Sequence, residues 1–221
     1  MACGAYAASA AANMDGGETL HSIFGLGVGS KRSATGNLKP QRLAALRQRF
    51  RGVRVLVIDE ISMVDAAFLG AIDERLKQAT GKQQSFGGLC VIAAGDFFQI
   101  PPVSGTCLPT AILHPRSATD YPVEFTGCER FKEFRLFRFE HQERARGNWA
   151  DAIAVLRAEK RIPQPVLDTL KPLSPEDVQH DEQWKFAPVA VSGNRERTEI
   201  NFLQAKRFAL QHHTVVLAWK I

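Results

Sequence analysis

The 221-residue chain contains no G-x-x-x-x-G-K-[ST], the stretch that folds into a phosphate-cradling loop. Without its Lys and hydroxyl, Mg·ATP loses its usual main cradle. The four cysteines, Cys3, Cys90, Cys107 and Cys128, form no C-x-x-C pair and have no histidine at zinc-ligand spacing. That argues against a zinc site or a disulfide frame and for reduced thiols. No run approaches the roughly 18 apolar residues of a membrane span. The Ala-rich start lacks the basic region and long aliphatic stretch of a signal peptide. No segment repeats at solenoid periods. Charge of either sign is modest: 28 basic against 23 acidic residues give +5, and the pI is near 9.2. This bias accommodates a nucleic-acid partner without requiring one.

What is present is an ordinary globular composition, 45% apolar, enough for one to two domains. Two apolar runs dominate it. Val55-Leu-Val-Ile-Asp59-Glu60 stops abruptly at two acids, and Cys90-Val-Ile-Ala-Ala stops at Gly95-Asp96, followed by Gln99 and Pro101-Pro102. Each has the length of a buried parallel strand that delivers carboxylates to its C-terminal edge, where open α/β sheets bind ligands. In a nucleoside triphosphatase, the first of two such acids holds Mg²⁺ and the second orients or activates the attacking water. Asp59 and Glu60 fit those roles. Gln99, held in a turn by the prolines, both donates and accepts and so suits a γ-phosphate or its water.

In chain order, residues 3–12 read as a short helix, Gly16-Gly17 as a turn, and Glu18 to Phe24 as a second ordered element. Gly25 to Pro40 reads as an exposed loop. Leu38 to Phe50 is an amphipathic helix, and Asp65 caps another that buries Phe68, Leu69, Ile72 and Leu76. The alternation predicts βαβ units around a parallel sheet, with Cys90 in the core. A loop-rich segment runs to about Gly127, a helical turn follows over Arg130 to Phe134, and Arg135 to Phe139 alternates as a strand. Two helices flank Pro163 and Pro165, and residues 171–183 form a linker. A buried strand over Phe186 to Val191, a helix over Arg195 to Leu210 with Ile200, Leu203 and Phe208 inward, and a strand from Thr214 to Trp219 complete the reading.

Three stretches together resemble a known family: Asn13-x-x-Gly16-Gly17-x-Thr19-Leu20-His21-Ser22, Val57-Ile-Asp59-Glu60-Ile-Ser62-Met63, and Gly95-Asp96-Phe-Phe-Gln99-Ile-Pro-Pro-Val103. They are similar to motifs Ia, II and III of the petite integration frequency (PIF) DNA helicases of superfamily 1B, relatives of the RecD-like helicases. Phe139-Glu-His-Gln142-Glu-Arg144 is similar to motif IV, and Val189 to Asn201 resembles the opening of the family's second RecA-like domain.

The resemblance implies an α/β, RecA-like P-loop NTPase fold, with a parallel sheet and flanking helices, incomplete at the N-terminus (no Walker A) and at the C-terminus. It implies domain 1A over 1–140, motif IV helices and a linker over 141–183, and the start of domain 2A over 184–221. The implied activity is ATP hydrolysis coupled to 5′-to-3′ translocation on single-stranded DNA, by an intracellular, membrane-free monomer. Nucleus or mitochondrion is the compartment in a eukaryote and cytoplasm in a bacterium, and repair, recombination and telomere maintenance are among the family's tasks. Asp59 would coordinate Mg²⁺, Glu60 would serve the water, Gln99 would sense the γ-phosphate, and Arg144 would act as an arginine finger. Thr19, His21 and Ser22 would sit near the DNA backbone. The chain departs from the family in two places: no phosphate loop precedes motif Ia, and Tyr6-Ala7-Ala8 stands where Pro-Thr-Gly is favoured. The expectation is a partial copy, inactive alone. The alternative is a non-catalytic remnant that binds single-stranded DNA or a protein.

Overall fold

The computed structural model describes all residues except 28–35, 141–142, 171, 181–183, 185 and 218–221, and the side chains of 148, 179 and 180. The chain divides into two compact units, Met1–His141 and Gln142–Ile221.

The first unit is built on four parallel strands, β1 (Ala2–Ala5), β2 (Glu18–Thr19), β3 (Val55–Asp59) and β4 (Cys90–Ala93), in the order β2-β1-β3-β4. Ala5 lies opposite Asp59, and Ile58 opposite Ala93, so the strands end together at one edge. The expected parallel α/β architecture is therefore present. Residues 3–12 differ from the single helix expected: the first half is β1, and only α1 (Ala8–Ala12) is helical. Alanine leans to helix by propensity, and parallel pairing with β2 and β3 overrides that preference over Ala2–Ala5.

The β3 run is not buried on both faces. Leu56 and Ile58 are fully buried while Val55, Val57 and Asp59 are half-buried, so one face of the sheet carries most of the core. That core joins Leu56 and Ile58 to Leu20 and Phe24 of α2 (Leu20–Phe24), Leu46 of α3 (Pro40–Arg49), and Leu69, Ile72 and Leu76 of α4 (Ala66–Thr80). Each such side chain contributes about 1.5–3 kcal/mol by leaving water. Cys90 is exposed, contrary to its reading as a core residue, because β4 is an edge strand. Its neighbour Ile92 is 52% exposed.

The segment expected to be loop-rich contains α5 (Leu108–Leu113) and α6 (Pro122–Lys132). Both carry a proline in the first turn, where the missing N–H costs nothing, so these prolines start helices. The turn expected over Arg130 to Phe134 is the end of α6. Helices α4 and α6 approach closely through glycine: a Cβ on Gly70 would collide with the carbonyl of Val123, and one on Gly127 with that of Ala66. Arg135 to Phe139 forms no strand, since no ladder partner adjoins it, and Leu136 and Phe139 are 90% and 97% exposed.

The second unit holds α7 (Asn148–Glu159), α8 (Gln164–Leu167), α9 (Pro175–His180) and α10 (Asn194–Gln211). Strands expected at Phe186 to Val191 and from Thr214 are not formed among the described residues; positions 218 and 219 lie outside them. Extended backbone without a neighbouring strand has no ladder to join. Leu203 and Phe208 of α10 were expected inward but are 57% and 49% exposed, because no sheet covers them among the described residues of this unit. Among the described residues, no helix is long and apolar enough to cross a membrane.

Candidate functional site

The chain leaves β3 at Asp59 and turns at once. Glu60 has φ 53° and ψ 47°, a left-handed conformation that costs a residue bearing a Cβ about 1–2 kcal/mol. Two hydrogen bonds hold it there. Asp59 Oδ1 accepts from the Glu60 amide at 2.9 Å, and the Glu60 carbonyl accepts from the Met63 amide at 3.0 Å. The backbone thereby swings into a 3₁₀ turn, Ile61–Met63. Both acids stay half-buried at the end of the sheet.

The end of β4 is stitched to that turn. Ala94 donates its amide to the Ile58 carbonyl at 2.8 Å, and its own carbonyl accepts from the Ile61 amide at 2.9 Å. Gly95 follows, where a Cβ would stand 2.8 Å from Ile61 N and 3.0 Å from Ile61 Cγ2. Asp96 then organises the next turn. Its Oδ1 accepts from the Phe98 amide at 3.0 Å and its Oδ2 from Gln99 Nε2 at 3.3 Å. Its carbonyl accepts from the Gln99 amide at 2.9 Å. Gln99 is exposed, and the tether on its amide nitrogen leaves Oε1 to accept from an incoming donor. The clamp is thus Asp96, which sequence reading assigned to the prolines. Its signal was the Asp two and three residues before Phe98 and Gln99, the spacing of an Asx turn.

Among the described residues, no three His, Cys, Asp or Glu side chains are grouped to hold a metal ion. A lone strand-end carboxylate suits Mg²⁺, which keeps several waters and takes further ligands from substrate phosphates.

At the other side of the sheet, Thr19 ends β2 and caps α2, its Oγ1 accepting from the Ser22 amide at 3.2 Å. Its own hydroxyl proton is left for a further acceptor. Ser22 Oγ donates to Glu18 Oε2 at 3.2 Å, and Glu18 pairs with Arg49 at 2.8 Å. A cleft lined by Ser22, Gly25, Arg42 and Arg49 opens beside them. His21 does not share those polar contacts. It packs against Tyr6 and Phe68, with ring centroids 4.9 Å and 4.7 Å away, and burial lowers its pKa. Arg144 stands exposed in the second unit, at a bend before α7. The first unit therefore brings Asp59, Glu60 and Gln99 to one sheet edge and Thr19, His21 and Ser22 to its β2 side.

The family model for PIF1-like helicases matches residues 2–156. The chain is 43% identical over 88 residues to the ATP-dependent DNA helicase PIF1 of Candida albicans, which is 40% of this chain and 10% of that protein. It is 39% identical over 94 residues to the Pif1 helicase of a Psychrobacter species, covering 42% and 14% of the two. Among solved structures, the Pif1 helicase of Candida albicans superposes with a TM-score of 0.57 at 27% identity, over 93% of this chain and 43% of that one. Bacteroides Pif1 bound to single-stranded DNA gives 0.52 at 26% identity, over 76% and 38%. The chain thus spans less than half of these solved relatives, and its alignments cover about a tenth to a seventh of the curated ones. The sheet with its acidic edge is the RecA-like fold of these helicases, and with the family model matched over most of its length, the chain belongs to the PIF1-like helicases.

Proposed function

We propose that this chain is the ATP-hydrolysing and DNA-gripping part of a helicase that moves 5′-to-3′ on single-stranded DNA. The observation that carries the reading is the stitched edge, where Asp59 and Glu60 end β3 and Gln99 hangs from the turn after β4. In this reading residues 1–140 form domain 1A, 141–183 carry the motif IV helices and a linker, and 184–221 open domain 2A. Asp59 would hold Mg²⁺ through Oδ2 and the ion's water shell, its Oδ1 being engaged by Glu60 N. The ion, when bound, supplies charge neutralisation of the phosphates. Glu60 orients the attacking water, and Gln99 Oε1 accepts a hydrogen bond from that water or positions it against the γ-phosphate. Arg144 is proposed as the arginine finger that stabilises the γ-phosphate's charge. Thr19 and Arg42 grip DNA phosphates without reading sequence, and Ser22 and Arg49 join them once their contacts with Glu18 are exchanged for the phosphate.

These 221 residues hold no phosphate loop, so the chain alone should bind ATP weakly and turn it over negligibly. The test is a longer chain in which a phosphate-loop segment precedes motif Ia. There Glu60→Gln should abolish DNA-stimulated hydrolysis while ATP binding persists, and Gln99→Ala should slow hydrolysis more than it weakens DNA binding. Retained turnover in Glu60→Gln would sink the assignment. If the chain binds single-stranded DNA in a salt-dependent way yet the longer form never hydrolyses ATP, the non-catalytic binding module is the better reading.

A further inference from the structure

We propose that Tyr6, His21 and Phe68 form a stacking platform for one unpaired base of single-stranded DNA. This rests on the DNA-binding reading above and adds to it a contact with the base, where that reading had only phosphates.

The three rings come from three elements. Tyr6 follows β1, His21 lies in α2, and Phe68 is in the first turn of α4. Their centroids are 4.9 Å (Tyr6–His21), 5.6 Å (Tyr6–Phe68) and 4.7 Å (His21–Phe68) apart, with interplanar angles of 70°, 67° and 49°. Rings tilted in this way meet edge against face and do not close into a sealed stack. Their sequence neighbours Ala5, Leu20 and Leu69 are fully buried, whereas all three aromatics keep part of their surface in solvent, with Tyr6 and Phe68 also packing against the core. The cluster is therefore a surface feature set into the rim of the core. It lies at the sheet edge where β1 and β2 end, next to Thr19.

Electrostatics favours a base over a phosphate here. Burial lowers the pKa of His21, so the imidazole is neutral near pH 7 and offers a π-face and no cation. Burial first, and then the negative charge of Asp65, raise the pKa of Tyr6, which stays a phenol. A carboxylate close to Tyr6 repels phosphate but does not hinder a neutral base. Base–aromatic stacking is sequence-tolerant and is worth about 1–3 kcal/mol per base.

The experiment is fluorescence anisotropy with the full 221-residue chain, a labelled oligothymidylate, and an oligonucleotide of equal length made of abasic sites. The wild type should bind the base-bearing strand about tenfold more tightly, as one stacked base implies. Tyr6→Phe should keep that preference, and Tyr6→Leu, which retains the side chain's bulk without its π-face, should lose most of it. Equal wild-type affinity for both strands overturns the platform and leaves the phosphate grip standing. A preference undiminished in both Tyr6→Leu and Phe68→Leu also overturns it. Absence of salt-sensitive binding to either strand overturns the DNA reading itself, and the platform with it.

Discussion

The amide of Ile61 donates to the carbonyl of Ala94 across 2.9 Å, and this one bond joins the turn that carries Glu60 to the turn that carries Gln99. Two groups that sequence separates by 39 positions are thereby held at one sheet edge. The arrangement has little slack, because Gly95 runs directly against Ile61.

Gly95→Ala should therefore destabilise the first unit by about 1–3 kcal/mol, the usual cost of forcing a methyl group into a filled space. The new Cβ would stand 2.8 Å from the Ile61 amide nitrogen. A urea melt of wild type and variant measures this. An unchanged midpoint would mean that the two turns move apart freely and are not stitched.

Glu60→Gly should have the opposite effect on stability. Glycine enters the left-handed region without the Cβ penalty, though it also brings more freedom to the unfolded chain. With φ at 53° in the native turn, we expect a net gain of up to about 1 kcal/mol, measured by the same melt. Loss of stability would show that the carboxylate itself supports the fold.

Asp73 is fully buried in α4, accepts the Phe86 amide at 2.5 Å through Oδ1, and has Lys77 Nζ 2.6 Å from Oδ2. It pins the turn that leads into β4. Asp73→Ala should cost roughly 2–4 kcal/mol, since the Phe86 N–H loses its acceptor and the Lys77 ammonium keeps only Glu74, 3.6 Å away. Chemical denaturation with a loss under about 1 kcal/mol would show that water replaces the carboxylate.

His21 gives a pH dependence with a definite sign. Its folded-state pKa is lowered by burial, so the unfolded chain takes up a proton first as pH falls below about 6.5. Stability should be unaffected by this group above that value and should fall as pH drops from there toward the folded pKa. His21→Phe should remove this part of the acid sensitivity. A variant whose melting temperature tracks the wild type from pH 7.5 to 5.5 would exclude His21 as the cause.

Much of the local structure was legible in the chain. The runs ending at Asp59-Glu60 and Gly95-Asp96 announced two parallel strands with a polar edge, because apolar, β-branched runs of that length favour strands and acids stop them. Asp65 announced the start of α4, and its Oδ1 does accept the Phe68 amide at 2.7 Å. Long periodic helices such as α3, α4 and α10 were recovered for the same reason. The motif set gave the family.

What the sequence could not settle is decided by neighbours. Arg135 to Phe139 and Phe186 to Val191 have strand patterns but no strand beside them among the described residues, and a pattern cannot supply a hydrogen-bonding partner. Cys90 reads as core and is exposed, as is its neighbour Ile92, because burial depends on a strand's place in the sheet order. The prolines at 109 and 122 were breakers by type and helix starters by position. The site follows the same division. Residue types placed Asp59-Glu60 and Asp96 at the ends of β3 and β4. Only the packing of β1, α2 and α4 set Tyr6, His21 and Phe68 face to edge, since contacts between distant segments depend on the path of the backbone between them.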